Sequence, residues 1–465
     1  MNLWYFAPKQ AQQPVNALTE PNIDPADLMP AEPLRIPPEI HGISTASIHP
    51  GALKVLHRLD EAGFQACLVG GCVRDLLLGR EPKDFDVATD ASPEQVRKLF
   101  RSARIIGRRF RLVHVRHGRD IIEVATFRAP HHVAEDEAQA LVEENGRILR
   151  DNVYGTLETD VWRRDFTINA LYYDIRDHSI LDFTGGMTDL AEGRLRLLGD
   201  PATRYREDPV RMLRAVRFAI KLGFRLDPDA EAAIHELHPL IAEVSPARLF
   251  EEVLKLMHGG CALQTFEALR HYGLFAHLFP AAEAHLNGPD GEAFGSLINA
   301  ALANTDRRIA AGQPVTPAFL VAVLLWGPVR ARAAELEAHE GMPPIPALQE
   351  AAQEVLHAQQ RSISIPRRFT LPAREIWALQ LRLPRTSGKR PLRLLSHPRF
   401  RAGYDFLCLR AQSAEPELAE LCQWWTEFQQ QAGLPASPAP EARSEGGERP
   451  RRRRRPRRRK PRSGQ

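Results

Sequence analysis

The hydrophobic period changes near Tyr205, and no single-layer fold accommodates both halves. Between 65 and 128 the apolar residues come in short β-like runs, "QACLVG", "DFDVAT", "ARIIG", "RLVHVRHG" and "IIEVATFR", broken by turn residues. A helix-spaced "HPGALKVLHRLDEAG" precedes them, ending at Gly63, and "SPEQVRKLF" interrupts them with Ser92 as its N-cap. "RRDFTINALYYDI" and "SILDFTGG" extend this α+β pattern, whereas 129–150 is polar and reads as a mobile loop. After Tyr205, segments such as "DPVRMLRAVRFAIKLG", "PARLFEEVLKLMHG", "REIWALQLRL" and "LAELCQWWTEFQQQ" repeat at helical spacing. The expected order is a disordered Pro/Gln/Ala-rich segment 1–42, an α+β head 43–200, a helical neck 201–275, a helical body 276–432 and a disordered tail 433–465.

The net charge of +4 hides an asymmetry. Arg449 to Arg462 holds eleven cationic residues, among them Arg451, Arg452, Arg453, Arg454, Arg455, Arg457, Arg458, Arg459 and Lys460, and no acid. The rest of the chain is therefore near −7. Such a run repels itself and stays unfolded, and it suits a salt-sensitive tether for RNA. No stretch reaches the roughly 20 apolar residues of a membrane span, and the start lacks a signal-peptide pattern. The five cysteines, Cys67, Cys72, Cys261, Cys408 and Cys422, form no CxxC pair. Their usage predicts a reducing, cytoplasmic setting without a disulfide framework or structural zinc.

The chemistry-bearing stretch is "LVGGCVRDLLLGREPKDFDVATD", 68–90. On a strand Asp84 and Asp86 project to one face while Phe85 turns to the other. Two such carboxylates repel unless a hard cation, Mg²⁺ or Mn²⁺, lies between them. The chain carries its own contrast in Asp227-Pro228-Asp229, where proline excludes an interior strand and the acids open a helix. What distinguishes Asp84/Asp86 is Gly70-Gly71 upstream, a turn into a helix where backbone can approach a phosphate. Arg74 lies on that helix's first turn. Glu123 and Asp165 are rivals for a third carboxylate, and the sequence does not choose between them. Asp208 and Arg211 in "EDPVR" would stand together at i and i+3 of one helix. Trp424-Trp425 read as core rather than as a base-stacking platform.

These motifs, with "RRDFTINALYYD" and "YREDPVRMLRAVRFA", resemble the class II nucleotidyltransferases, the superfamily of bacterial poly(A) polymerases and tRNA CCA-adding enzymes. The wording of "EPKDFDVATDASPEQVRKLFR", "DNVYGTLETD" and "HPRFRAGYDFLCLRA" is most similar to the bacterial poly(A) polymerase I subfamily, to about residue 430. Cys72 departs from a glycine common after the Gly-Gly pair, which alters the loop slightly. The resemblance implies a nucleotidyltransferase head with a mixed β-sheet. It implies a template-independent polynucleotide adenylyltransferase that adds AMP from ATP to single-stranded RNA 3′ ends with two Mg²⁺ ions. By that resemblance Asp84, Asp86 and Asp165 are catalytic, Asp84 and Asp86 hold metal, and Gly70, Gly71, Arg74, Asn169, Asp208 and Arg211 bind the nucleotide. Arg248, Lys255, Arg367, Arg368 and Arg374 would guide RNA. A monomer, with RNA-decay or RNA-chaperone proteins as partners, is the expected form. A CCA-adding enzyme and a catalytically inactive RNA-binding protein are the competing expectations.

Overall fold

The computed structural model describes residues 32–107, 111–129, 140–142, 148–151 and 154–433. The expectations for residues 1–31 and for the arginine-rich tail lie outside the described residues. The chain divides into two compact units, one of residues 1–280 with 359–364, the other of 281–358 with 365–465.

The first unit is built on an eight-stranded mixed sheet. Its strands are Leu34–Ile36 (β1), Ala66–Val69 (β2), Asp86–Thr89 (β3), Ala103–Ile106 (β4), Leu112–His117 (β5) and Asp120–Thr126 (β6), joined by two later ones. Ala140–Val142 (β7) and Ile148–Asp151 (β8) form a separate antiparallel pair, and Leu171–Asp174 (β9) and Ile180–Asp182 (β10) complete the large sheet. Its order is β1-β10-β9-β2-β3-β6-β5-β4, and every pairing is antiparallel except β3 with β6. Two expectations change here. The patternless segment to residue 42 contains β1, too short to show a period and held by pairing with β10, and then a single helical turn, Pro38–His41 (α1). The polar stretch 129–150 contains the β7–β8 pair, whose strands are likewise too short to read from alternation.

The central strands β2 and β3 are buried on both faces. Leu68 and Val87 join one core, whereas Cys67, Val69 and Ala88 join another on the opposite face. Pro50–Glu61 (α2) closes the first face with Ala52, Val55, Leu56 and Leu59. Gly71–Leu77 (α3) and Pro93–Leu99 (α4) lie on the same side, and α4 opens with a full capping box in which Ser92 and Gln95 exchange side-chain and backbone bonds. Leu157–Trp162 (α5) covers the second face through Leu157 and Val161.

The rest of this unit is helical apart from a short two-stranded pairing: Gly186–Glu192 (α6), Pro201–Glu207 (α7), Val210–Leu222 (α8), Pro228–Leu237 (α9), Pro246–Met257 (α10), Ala262–His271 (α11) and Leu274–Leu278 (α12). The second aspartate pair is a helix cap as its sequence predicts: the Asp227 side chain accepts from the Asp229 N–H at the start of α9.

The second unit is helical throughout its described secondary structure. Trp377 and Trp425 are fully buried and donate to the carbonyls of Ala322 (2.9 Å) and Leu383 (3.0 Å). Trp425 is thus core, and the partly buried Trp424 stacks on Phe428 at 4.9 Å. A disulfide joins Cys408 to Cys422 across two packed helices, Phe400–Ser413 and Ala419–Gln431. This corrects the expectation of unpaired cysteines: the pairing is set by helix packing, which leaves no short-spacing signal. Closing a loop of this length contributes about 3 kcal/mol in the chain-entropy account. Reduction is therefore expected to lower the urea midpoint of this unit, and Cys408→Ser should lower it equally and abolish the response to reductant.

Candidate active site

The site grows out of the sheet's central crossing. β2 ends at Gly70, whose φ of +80° turns the chain into α3. A side chain there would be strained, and its Cβ would meet Arg164 Nη1 at 3.5 Å. Asp86 opens β3 directly opposite Val69, the residue before that turn, and on its other side it registers with Glu123 of β6. Phe85 is buried in the core behind. Asp84 is exposed on a bend before β3, which begins only at Asp86, so the expectation that strand alternation aligns the two acids is corrected: what links them is charge, Asp84 adding to the upward push on the Asp86 carboxyl. Cys72 wedges α3 beneath this crossing, its Sγ 3.3 Å from the Val69 carbonyl and 3.9 Å from that of Asp86.

Two further carboxylates act on Asp86: Glu123, its register partner on β6, and Asp84, through its charge. Burial, Glu123 and Asp84 together push the Asp86 carboxyl up to about 6, against the pull of Arg164. Glu123 is exposed and contacts His114 Nε2 at 3.1 Å. Concentrated oxygen donors with this mutual repulsion fit a divalent hard cation.

Asp165 stands elsewhere. Its Oδ2 accepts from Arg214 Nε (2.7 Å) and Nη2 (2.5 Å), and its Oδ1 accepts from the Phe166 N–H (2.9 Å) and Asn169 Nδ2 (3.1 Å). These partners outweigh burial and hold the carboxyl down at about 2. The Asp165–Asn169 bond forms through a 3₁₀ turn, Thr167–Asn169, rather than an α-helix. Asn169 Oδ1 in turn accepts from Arg74 Nη1 at 2.8 Å. Arg74 is buried, bonded also to Asp75, with its guanidinium 5.0 Å from the Phe218 ring centroid. Arg74–Asn169–Asp165–Arg214 is a continuous brace from α3 to α8.

Two cations among the described residues face the Gly70-Gly71 turn: Arg74, whose Nη2 lies 3.6 Å from where a Cβ on Gly71 would stand, and Arg164. Its Nε donates to the Tyr172 hydroxyl (2.7 Å) and its Nη2 to Asp160 Oδ2 (2.9 Å), and the Tyr172 hydroxyl donates to the same Asp160 oxygen (2.7 Å). More guanidiniums gather around it. Burial and the charges of Arg128, Arg204, Arg211 and Arg164 depress Arg163 to about 9, and burial together with Arg211 depresses Arg204 to about 10. Like charges held this close favour an anion among them. The sequence reading missed this cluster. Its only local signal is the Arg163-Arg164 doublet, because Arg128 and Arg204 arrive from distant segments.

Asp208 and Arg211 do not share a helix as expected. Asp208 is extended (φ −149°, ψ 92°) at the joint between α7 and α8. Arg248 of α10 clamps it through two bonds of 2.8 and 2.6 Å, so Arg248 is its partner rather than an open RNA guide. Arg211 Nη1 bonds Glu207 Oε2 and the Arg204 carbonyl, each at 2.8 Å.

Family comparisons match this architecture along the chain. The "Poly A polymerase head domain" covers 66–196, the "Probable RNA and SrmB- binding site of polymerase A" 223–286 and the "Polymerase A arginine-rich C-terminus" 340–459. Poly(A) polymerase I of Salmonella typhimurium is 50% identical over 435 residues, 92% of each chain. The chain belongs to the poly(A) polymerase I family. That family's Haemophilus influenzae member is 49% identical over 83% of this chain and 86% of its own length. The CCA-adding enzyme of Bacillus pumilus, by contrast, is 38% identical over 227 residues, 49% of this chain and 54% of its own. Among solved structures, the Bacillus stearothermophilus CCA-adding enzyme in complex with CTP matches at a TM-score of 0.55 and 26% identity, covering 84% of this chain and 90% of that one. Poly(A) polymerase I similarity thus extends far beyond the part shared with the curated CCA-adding relative.

Proposed function

We propose that this chain is a polynucleotide adenylyltransferase that adds AMP from ATP to RNA 3′ ends without a template. Similarity to poly(A) polymerase I over 92% of both chains is the observation that carries this reading. Mg²⁺ is the metal we assign, held by Asp84 and Asp86, with Glu123 rather than Asp165 as the third carboxylate. Glu123 registers with Asp86 and raises its pKa, whereas every carboxylate oxygen of Asp165 is engaged by the brace. An Mg²⁺ ion held by these carboxylates would supply Lewis-acid activation of the RNA 3′-hydroxyl and charge neutralisation toward the pyrophosphate leaving group.

The chain's own residues do the positioning. Gly70 and Gly71 let the triphosphate approach the backbone, and Arg164, fixed by Asp160 and Tyr172, supplies a preset charge beside it. Arg163, Arg128 and Arg204 add to the field that draws a polyanion in. Arg74 adds a second charge beside Gly71, and with Asn169 and Asp165 it keeps α3 in register with α8. Asp208, held by Arg248, and Arg211, held by Glu207, stand as acceptor and donor for an amine-bearing base.

We assign the domains as a head from β1 at residue 34 to 200, neck 201–275, body 276–432 and tail 433–465, acting as a cytoplasmic monomer. Among the described residues no helix is long and apolar enough to cross a membrane.

The deciding assay supplies each nucleoside triphosphate singly, with Mg²⁺, to an oligo(A) primer and to a tRNA lacking its CCA end. A long ladder on oligo(A) with ATP alone is the expected result. Extension of the tRNA that needs CTP and stops after three additions would transfer the assignment to the CCA-adding reading. Absence of incorporation on both would leave an RNA-binding protein.

The tail makes a separate prediction. Removing residues 434–465 takes away eleven clustered cations. Affinity for single-stranded RNA at low salt is expected to fall at least about tenfold. The slope of log affinity against log salt should flatten by about 0.7 for each phosphate that the tail had neutralised. Incorporation at saturating primer should hold. An unchanged slope would remove the tether role.

A further inference from the structure

The neck carries a second set of donors, chemically unlike the carboxylates of the catalytic head. Glu231 and His235 lie one turn apart on α9, and His271 ends α11. One donor atom from each lies within 4.8 Å of both others. We propose that Glu231, His235 and His271 bind a zinc-type transition-metal ion that ties α9 to α11.

The spacing is that of ligands about to close on an ion. Two imidazole nitrogens bonded at about 2.0–2.1 Å to one tetrahedral ion lie roughly 3.3 Å apart, with ring centroids roughly 5 Å apart. The His235 and His271 rings are 5.5 Å apart, at 81° to each other. Closing the remaining gap takes a rotation of the exposed His235 and His271 side chains. The i, i+4 spacing of Glu231 and His235 puts both on one helix face, so the site needs only two backbone elements.

Tyr272 supports the arrangement from behind. Its hydroxyl donates to Glu231 Oε1 at 2.9 Å. Its ring lies 5.2 Å from that of His235 and 4.8 Å from that of His271. A second layer that orients a ligating carboxylate in this way is typical of metal centres.

The donor set decides the class of ion. Two imidazoles and one carboxylate suit zinc, cobalt, nickel or copper, whereas Mg²⁺ prefers all-oxygen ligands and retains its waters. The three ligands leave a fourth position for water. With no nucleophile assigned beside it, the role that follows is structural: a staple across the neck.

The test uses the full chain carrying Asp84→Asn and Asp86→Asn, so that the catalytic carboxylates do not contribute, titrated with Co²⁺ and then Zn²⁺. One equivalent with visible d–d absorption, displaced by Zn²⁺, is expected. His271→Ala and His235→Ala should each weaken it at least about tenfold, and Glu231→Gln should weaken it less than either. Zn²⁺ should raise the melting temperature of the parent by several degrees and leave that of His271→Ala unmoved. Each protein is compared with itself, with and without Zn²⁺, so the shift on adding metal separates lost ligation from any change in metal-free stability. Absence of a stoichiometric equivalent overturns the proposal. So does an equivalent insensitive to the histidine changes, or one with sulfur charge-transfer bands that vanishes with Cys261→Ser. Each of these readouts is independent of adenylate transfer.

Discussion

Asp86→Asn is expected to leave the protein without measurable adenylate incorporation and, in the absence of metal, more stable than the parent at pH 7. The loss follows from removing a central metal ligand. Stabilisation of transition-state charge by a bound ion supplies several kcal/mol, so the rate should fall about 10³-fold or more. Asp84→Asn should match it.

The stability gain has a different origin. Burial, Glu123 and Asp84 raise the Asp86 carboxyl to about 6 in the folded chain, against 3.8 for the free group. Between those values the folded state holds a proton that the unfolded state has lost, so metal-free stability falls as pH rises from about 4 to about 6. At pH 7 the ionised carboxylate costs on the order of 1–3 kcal/mol, which the neutral amide avoids. Mg²⁺ should reverse the ranking by binding the parent and not the variant. The checks are urea midpoints of both proteins across pH 4 to 8, with and without Mg²⁺, alongside primer extension. A variant that loses stability as well as activity would mark Asp86 as a structural group. One that keeps activity would remove the metal assignment altogether.

The head was legible because its signals are local. Gly70-Gly71 at a strand end and Ser92 before "PEQ" each state their geometry within a few residues, and the structure places them accordingly. The "DFD" alternation holds only in part, because β3 begins at Asp86 and leaves Asp84 on the bend before it. What stayed hidden depends on contacts between distant segments. Glu123 and Asp165 could not be ranked from sequence, because strand register with Asp86 separates them and register is a pairing property. Arg74 sits one turn from a Gly-Gly motif and does lie against Gly71, but its bond to Asn169, 95 residues on, could not be read from sequence. Asp208 and Arg211 have helical spacing, but Pro209 disfavours helical φ/ψ in the residue before it, which leaves Asp208 at a joint between two helices. The disulfide belongs to the same class: Cys408 and Cys422 meet only because their helices pack.

Arg214→Ala separates the brace from the metal site. The guanidinium makes both bonds to Asp165 Oδ2, and removing it strands a carboxylate whose side chain is only 11% exposed. Breaking a buried pair from one side costs about 3–5 kcal/mol, and the 31% exposure of Arg214 places this case at the lower end, about 3 kcal/mol. The acid dependence should change with it. With Asp165 held at about 2 in the folded chain and 3.8 as the free group, the pair's contribution is fully present above about pH 4 and is lost as pH falls toward 2. The parent should therefore lose about 2 kcal/mol across that window from this group, and Arg214→Ala much less, because it has little of that stability left to lose. Urea midpoints at pH 7, 4 and 3 read both effects. Asp165→Asn should likewise lower stability while retaining Mg²⁺ affinity in calorimetry, because its oxygens serve Arg214 and Asn169 rather than the ion. If Asp165→Asn instead abolished Mg²⁺ binding as Asp84→Asn does, the third carboxylate would be Asp165, and α8 would have to release it before catalysis.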